Sequence, residues 1–134
     1  MSRKQEPITE IHHVTVSDPK PHPEKNFTMY KVRIEAHSVS VDQEPEVVEF
    51  YKRFSEFKKL EHSLGTYHKQ LYRAEPFPSL PSTGYFNRKD TAVIEKRRKA
   101  AEDMLQFIFE RHYLYKHTVF IEFCSSSCDK DDAT

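Results

Sequence analysis

Glycine is scarce in this sequence, with Gly65 and Gly84 the two examples in 134 residues. Two glycines cannot build a phosphate-cradling loop that runs into Lys-Ser or Lys-Thr. No glycine-flanked serine suggests a nucleophile elbow, and no Ser/His spacing marks a catalytic set, so an enzyme is not expected. Tryptophan is absent, and cysteine is limited to Cys124 and Cys128. Two cysteines are too few for a disulfide framework and suit a reducing compartment. Net charge is also lacking, because 21 Lys and Arg balance 21 Asp and Glu. A neutral chain does not bind nucleic acid or membrane by bulk attraction, so any anion site must be a local concentration of charge. No apolar run approaches the length of a membrane span. The opening, Met1 to Glu10, is polar and has no signal-peptide core, so export is not expected and membrane contact would be peripheral.

Aromatic side chains supply what the composition otherwise withholds. Ten Phe and seven Tyr accompany a hydrophobic content of 37%, and each ring buries a large area. The length suits one domain. Residues 1–10 read as a flexible arm, 11–124 as the domain, and 125–134 as a polar tail or linker. Ile11 to Ser17 is rich in β-branched residues and predicts a strand. Asp18-Pro19-Lys20-Pro21-His22-Pro23 reads as a turn, since neither a helix nor a central strand accommodates those prolines. Tyr30, Val32, Ile34 and Ala36 alternate with polar residues, as on a half-buried strand. A third strand is predicted from Glu46 to about Phe54. Ser55 is a candidate N-cap for a helix carrying Phe57, Leu60, Leu64 and Leu71, with Gly65 placed to break or bend it. Pro76-Phe77-Pro78-Ser79-Leu80-Pro81 is extended and polyproline-like. A loop from Ser82 to Asp90 leads to a long helix over Thr91 to Arg111, and one further short helix is predicted within Tyr113 to Phe123. The fold class is therefore α+β, an antiparallel three-stranded meander followed by helices.

Three places carry chemistry. With Ile94 at zero and about 100° per residue, Ala101, Leu105 and Ile108 form an apolar stripe on the long helix. Arg97 falls inside that stripe and Arg98 at its other edge, while Lys96 and Lys99 point away. An arginine there implies an anion pocket or an acidic partner, unless it snorkels or pairs internally. The second place is Tyr51-Lys52-Arg53-Phe54-Ser55-Glu56-Phe57, where strand meets helix. Arg53 offers a planar fork for a phosphate, and the adjacent ring of Phe54 a flat apolar face. In isolation the pair reads more readily as a surface charge beside a core ring. The third place is Thr83-Gly84-Tyr85-Phe86-Asn87, two aromatics in an aperiodic loop, followed by Arg88 and Lys89. Such a loop suits lipid headgroups, or folds back on the core.

Other readings are weaker. His112, His117, Cys124 and Cys128 lack the paired spacing of a zinc finger, so no metal is expected. Lys96-Arg97-Arg98-Lys99 sits within an amphipathic helix beside Glu95, Glu102 and Asp103, which argues against a nucleic-acid partner. No cofactor is expected.

Lys52-Arg53-Phe54-Ser55-Glu56-Phe57, then Phe77-Pro78-Ser79-Leu80-Pro81, then Val93-Ile94-Glu95-Lys96-Arg97-Arg98-Lys99, in that order, resemble the PX (phox homology) family. Val14 to Pro19, His22-Pro23 and Ala100 to Leu105 look closest to its sorting-nexin and ribosomal-protein-kinase-like branch. The resemblance runs from about Ile11 to Phe123. It implies a three-stranded antiparallel sheet packed on a helical subdomain with a proline-rich segment. It also implies a cytoplasmic module that reads phosphatidylinositol 3-phosphate and attaches peripherally to endosomal membranes in trafficking. By the motif match Arg53 grips the 3-phosphate, Phe54 stacks on the inositol where the family usually has Tyr, and Arg97 bonds the 4- and 5-hydroxyls. Tyr85 and Phe86 match the membrane-inserting loop. One departure is plain: the proline segment of the family ends in a lysine that contacts lipid phosphate, and here that position is Ser82. Arg88 or Lys89 are the candidate replacements. A PX-fold protein-interaction module with weak or lost lipid binding is the alternative, with partners met directly or through other domains of a longer chain.

Overall fold

The computed structural model describes residues 10–38, 44–71, 74–82 and 89–129. Strands β1 (Glu10–Pro21), β2 (Thr28–Ser38) and β3 (Glu46–Arg53) form an antiparallel sheet in the order β1-β2-β3. Successive strand side chains point to opposite faces, so the alternation in β2 fixes which face is inward. Val14 and Val16 of β1 lie opposite Ile34 and Val32. Together with Tyr30 and Phe50 they form the buried face. On the outer face Glu49 takes both Lys31, at 3.5 Å, and Arg33, at 3.3 Å.

The first strand runs four residues past the predicted end at Ser17. Its register slips between Ser17 and Lys20, where Asp18 adopts φ 49°. This bulge and the edge position let Pro19 and Pro21 stay in the strand, since an edge does not need every N–H. The chain reverses instead over residues 22–27, where His22 Nδ1 accepts the N–H groups of Glu24 and Lys25 at 3.0 Å.

Helix α2 (Thr91–Phe109) packs against β1. Its first turn is capped by Asp90, whose side chain accepts from the Ala92 N–H at 2.8 Å. Arg97, Ala101, Met104, Leu105 and Ile108 are its buried residues, as the helical spacing predicts. Arg98 has a separate task. Its Nη1 donates to the Val16 carbonyl at 2.8 Å, and Glu102 accepts from the Val16 N–H at 3.0 Å. Side chains one helical turn apart thus satisfy both groups that Val16 turns to the open edge of β1, an edge that an exposed strand otherwise offers to other chains.

Helix α1 (Phe54–Leu71) follows β3 without a connecting residue. Ser55 lies inside it rather than capping it; the cap comes from Glu56, whose Oε1 accepts the Arg53 N–H at 3.0 Å. Gly65 does not break the helix, which continues to Leu71. A Cβ there would stand 3.5 Å from the Phe77 ring. His68, buried on the same helix, contacts Tyr113 Oη and the Glu75 carbonyl, each at 2.6 Å. It thereby holds the proline segment to the helices, while the Leu80 N–H donates to Glu61 at 2.8 Å.

The long helix stops at Phe109, short of Arg111. The single short helix expected after it is two, α3 (His112–Tyr115) and α4 (Thr118–Phe123). The break is at His117, whose Nδ1 accepts the Val119 N–H at 3.1 Å. Of the expected polar tail, the described part to Asp129 docks on β3. The Cys128 N–H donates to the Tyr51 carbonyl at 2.9 Å. Residues 1–9 of the expected arm lie outside the described residues, and Glu10 already belongs to β1.

Because the added methyl meets Phe77 at ordinary contact distance, Gly65→Ala is expected to stabilise the fold by about 0.5–1 kcal/mol through helix propensity. A urea denaturation midpoint that falls, rather than rises, would contradict this packing.

Candidate functional site

The strand-to-helix junction sorts its side chains by the two-residue period. Phe50, Lys52 and Phe54 turn inward, and Tyr51 and Arg53 turn outward. Lys52 is 1% exposed, a burial that the sequence reading passed over. Its Nζ donates to Ser126 Oγ at 3.0 Å, stands 3.6 Å from Glu56 and lies 4.5 Å over the Phe123 ring. The signal was available: Lys52 is in phase with Phe50 and Phe54, so a lysine between two core rings must be buried.

Arg53 is exposed, and its guanidinium lies 4.2 Å over the Phe27 ring. It lines a cavity of about 290 Å³ between the β1–β2 turn and the C-terminal segment. His22, Lys25, Glu56, Ser127 and Cys128 share that cavity. Stacking on Phe27 supports the guanidinium from one face and leaves its in-plane donors directed elsewhere.

Arg97 reaches a different ring. It is 9% exposed, and its guanidinium lies 4.7 Å over Phe54, itself 5% exposed. Its Nη2 donates to the Ser82 carbonyl at 3.2 Å. Tyr30 is close by: burial pushes its phenol above the ordinary value, and the Arg97 charge opposes that shift. The arginine that the helical spacing placed on the apolar face is thus held by an aromatic face and a carbonyl.

Of the residues singled out from sequence, Phe54, Arg97 and Ser82 meet in one cluster. Arg53 stands in the neighbouring cavity with Phe27. Lys89 is exposed, next to the Asp90 cap of α2. Tyr85, Phe86 and Arg88 lie outside the described residues.

A three-stranded antiparallel sheet, a proline segment laid across the first helix and an arginine of the second long helix stacked at the β3–α1 junction together describe a PX fold. The family model for the PX domain matches residues 40–127, and the chain belongs to that family. Membership makes it, in general terms, a phosphoinositide-binding module. Its relatives include sorting nexin-15 of Rattus norvegicus, 42% identical over 108 residues that cover 80% of this chain and 32% of that protein. Ribosomal protein S6 kinase delta-1 of Homo sapiens is 36% identical over 120 residues, 89% of this chain and 11% of the kinase. The chain therefore spans about a third of the sorting nexin and about a ninth of the kinase. Two solved structures share the fold. A designed CISK-PX domain aligns with TM-score 0.63 at 24% identity, covering 85% of this chain and 99% of that one. The mouse SNX19 PX domain with bound sulphate ion aligns with TM-score 0.59 at 16% identity, covering 87% and 97%. Among the described residues no helix is long and apolar enough to cross a membrane.

Burial raises the Cys124 thiol to about 12 and the Cys128 thiol to about 11. Both thiols therefore stay protonated at neutral pH, and the thiolate is the reactive form. Iodoacetamide at pH 8 is expected to label the folded chain much more slowly than the urea-unfolded chain. Equal rates would contradict this burial.

Proposed function

We infer that this PX domain reads phosphatidylinositol 3-phosphate and docks peripherally on endosomal membranes. The observation that carries the reading is the arginine pair at the β3–α1 junction: Arg53 at the rim over Phe27, and Arg97 on Phe54 beside the end of the proline segment. Arg53 is the phosphate grip, because a guanidinium offers two parallel donors to a phosphate. Arg97 bonds the inositol hydroxyls, and Phe54, 5% exposed beneath the Arg97 guanidinium, backs that arginine rather than offering an open face to the inositol. Tyr85 and Phe86 would enter the interface, with Arg88 and Lys89 meeting anionic lipid. Headgroup capture and loop insertion are each weak, and together they give reversible residence on the membrane.

Ser82 favours a second reading, a PX-fold protein-interaction module with weak lipid binding. Its side chain lacks the cation found there in the family, a loss of about 1.5–3 kcal/mol, or roughly ten- to a hundredfold in affinity. Cargo and protein partners would then be met directly or through other parts of a longer chain.

Sedimentation with vesicles of each phosphoinositide separates the readings. Pelleting selective for the 3-phosphate, abolished by Arg53→Gln in a folded protein, is the expected result. No pelleting with any phosphoinositide would bring the protein-interaction reading forward. Arg97→Lys keeps the charge but loses the plane that stacks on Phe54, so binding is expected to weaken by about tenfold or more. Ser82→Lys is expected to strengthen pelleting by about ten- to a hundredfold; an unchanged affinity would mean that this position lies outside the lipid contact.

A further inference from the structure

Beside Arg53 the sheet ends in a segment that is held by few contacts. Ser126 to Asp129 follow α4 and lie along the outer edge of β3. Ser127 Oγ accepts from the Tyr51 N–H at 2.8 Å, and the Cys128 N–H donates to the Tyr51 carbonyl at 2.9 Å. Both edge groups of one residue are thereby satisfied. The Ser127 hydroxyl in turn donates to the Asp129 carboxylate. Ser126 Oγ accepts from Lys52, and His22 Nε2 meets the Cys128 carbonyl at 3.0 Å. This strap is also one wall of the 290 Å³ cavity that Arg53, Lys25 and Phe27 line from the other sides.

We propose that Ser127 is a phosphorylation site, and that a phosphoryl group on it undocks the strap and denies the Arg53 cavity to lipid phosphate. The proposal rests on the reading of Arg53 as the phosphate grip. In the step itself Ser127 Oγ attacks the γ-phosphorus of ATP held by a protein-serine kinase. The Oγ–P bond forms as the bond to ADP breaks, and the hydroxyl proton passes to a base of the kinase. The product has no hydrogen left to give Asp129, and it sets about −1.5 to −2 of charge against that carboxylate. Like-charge repulsion then works against the Tyr51 N–H contact that the same side chain makes. Access is cheap, because the strap is held at an exposed edge by a handful of hydrogen bonds and opens locally.

Charge sets the sign of the effect on lipid. The cavity carries Arg53 and Lys25 against Glu24, Glu56 and Asp129, with His22 between them. Two permanent cations against three carboxylates leave no reserve for another dianion. Whether the phosphoserine stays at the wall or swings onto Arg53, it opposes an incoming lipid phosphate. No such conflict arises at Ser125, whose hydroxyl donates to the Ile121 carbonyl at 2.7 Å and which does not line the cavity.

The test uses the whole chain with phosphoserine installed at position 127, with position 125 as the control for added charge. Hydrogen exchange of the Tyr51 amide reports strap docking without any lipid. Pelleting with phosphatidylcholine vesicles containing phosphatidylinositol 3-phosphate reports binding, and slow exchange at Val32 in the sheet centre shows that the fold is kept. Phosphoserine at 127 is expected to quicken Tyr51 exchange and to weaken pelleting, each by about tenfold or more, while phosphoserine at 125 changes neither. Unchanged Tyr51 exchange overturns the proposal with or without lipid. Faster exchange with unchanged pelleting overturns it too. If the unmodified chain pellets with no vesicle, the lipid reading fails on its own, and faster Tyr51 exchange still upholds Ser127 as the latch.

Discussion

One stacked pair ties the molecule together at the β3–α1 junction. Arg97 of α2 lies on Phe54, the first residue of α1, and donates to Ser82 where the proline segment ends. Its charge is also felt at Tyr30 of β2. A single guanidinium therefore links two helices, the sheet and the proline segment. An isolated charge at that depth is costly, and the cost falls when the ring quadrupole faces the cation and a carbonyl accepts from it.

The same device recurs along the chain. Arg53 lies over Phe27, Lys52 over Phe123 and Lys20 over Tyr51. Each of these cations is supported from one side by a ring, and Lys52 by Glu56 at 3.6 Å as well. The chain's seventeen Phe and Tyr rings supply that support. Away from the junction the cations are paired in the ordinary way, as in Lys99 with Asp103 at 3.0 Å and Arg98 with Glu95 at 2.8 Å.

The legible parts of the sequence were those set by period. The alternation of Tyr30, Val32 and Ile34 gave the inner face of the sheet, and the helical spacing of Ala101, Leu105 and Ile108 placed Arg97 inside. The order of elements followed from the same periods and the proline breaks, and the resemblance added the PX family, which the family match bears out. Contacts between distant residues stayed hidden. Nothing local marks Ser127 as the partner of Tyr51, or Glu102 as the acceptor for Val16. Prolines misled in β1, because tolerance depends on whether a strand is at an edge, and that is a property of the sheet. Gly65 misled for a similar reason: what its missing side chain faces is Phe77, twelve residues on.

The two edges of this sheet are closed by different means, and the difference has consequences. At β1 the closing groups are Arg98 and Glu102, fixed on a helix whose inner face is core. Opening that edge would mean moving α2 and the residues buried under it. At β3 the closing groups are Ser127 and Cys128, on a segment that rests on the surface. That segment can leave while the core remains packed, since the side chains it covers include Lys52, which keeps Glu56 and the Phe123 ring as neighbours. The detachable closure is therefore the one beside Arg53. On the proposed reading of Arg53 as the phosphate grip, a change confined to a few polar residues there reaches it without passing through the core.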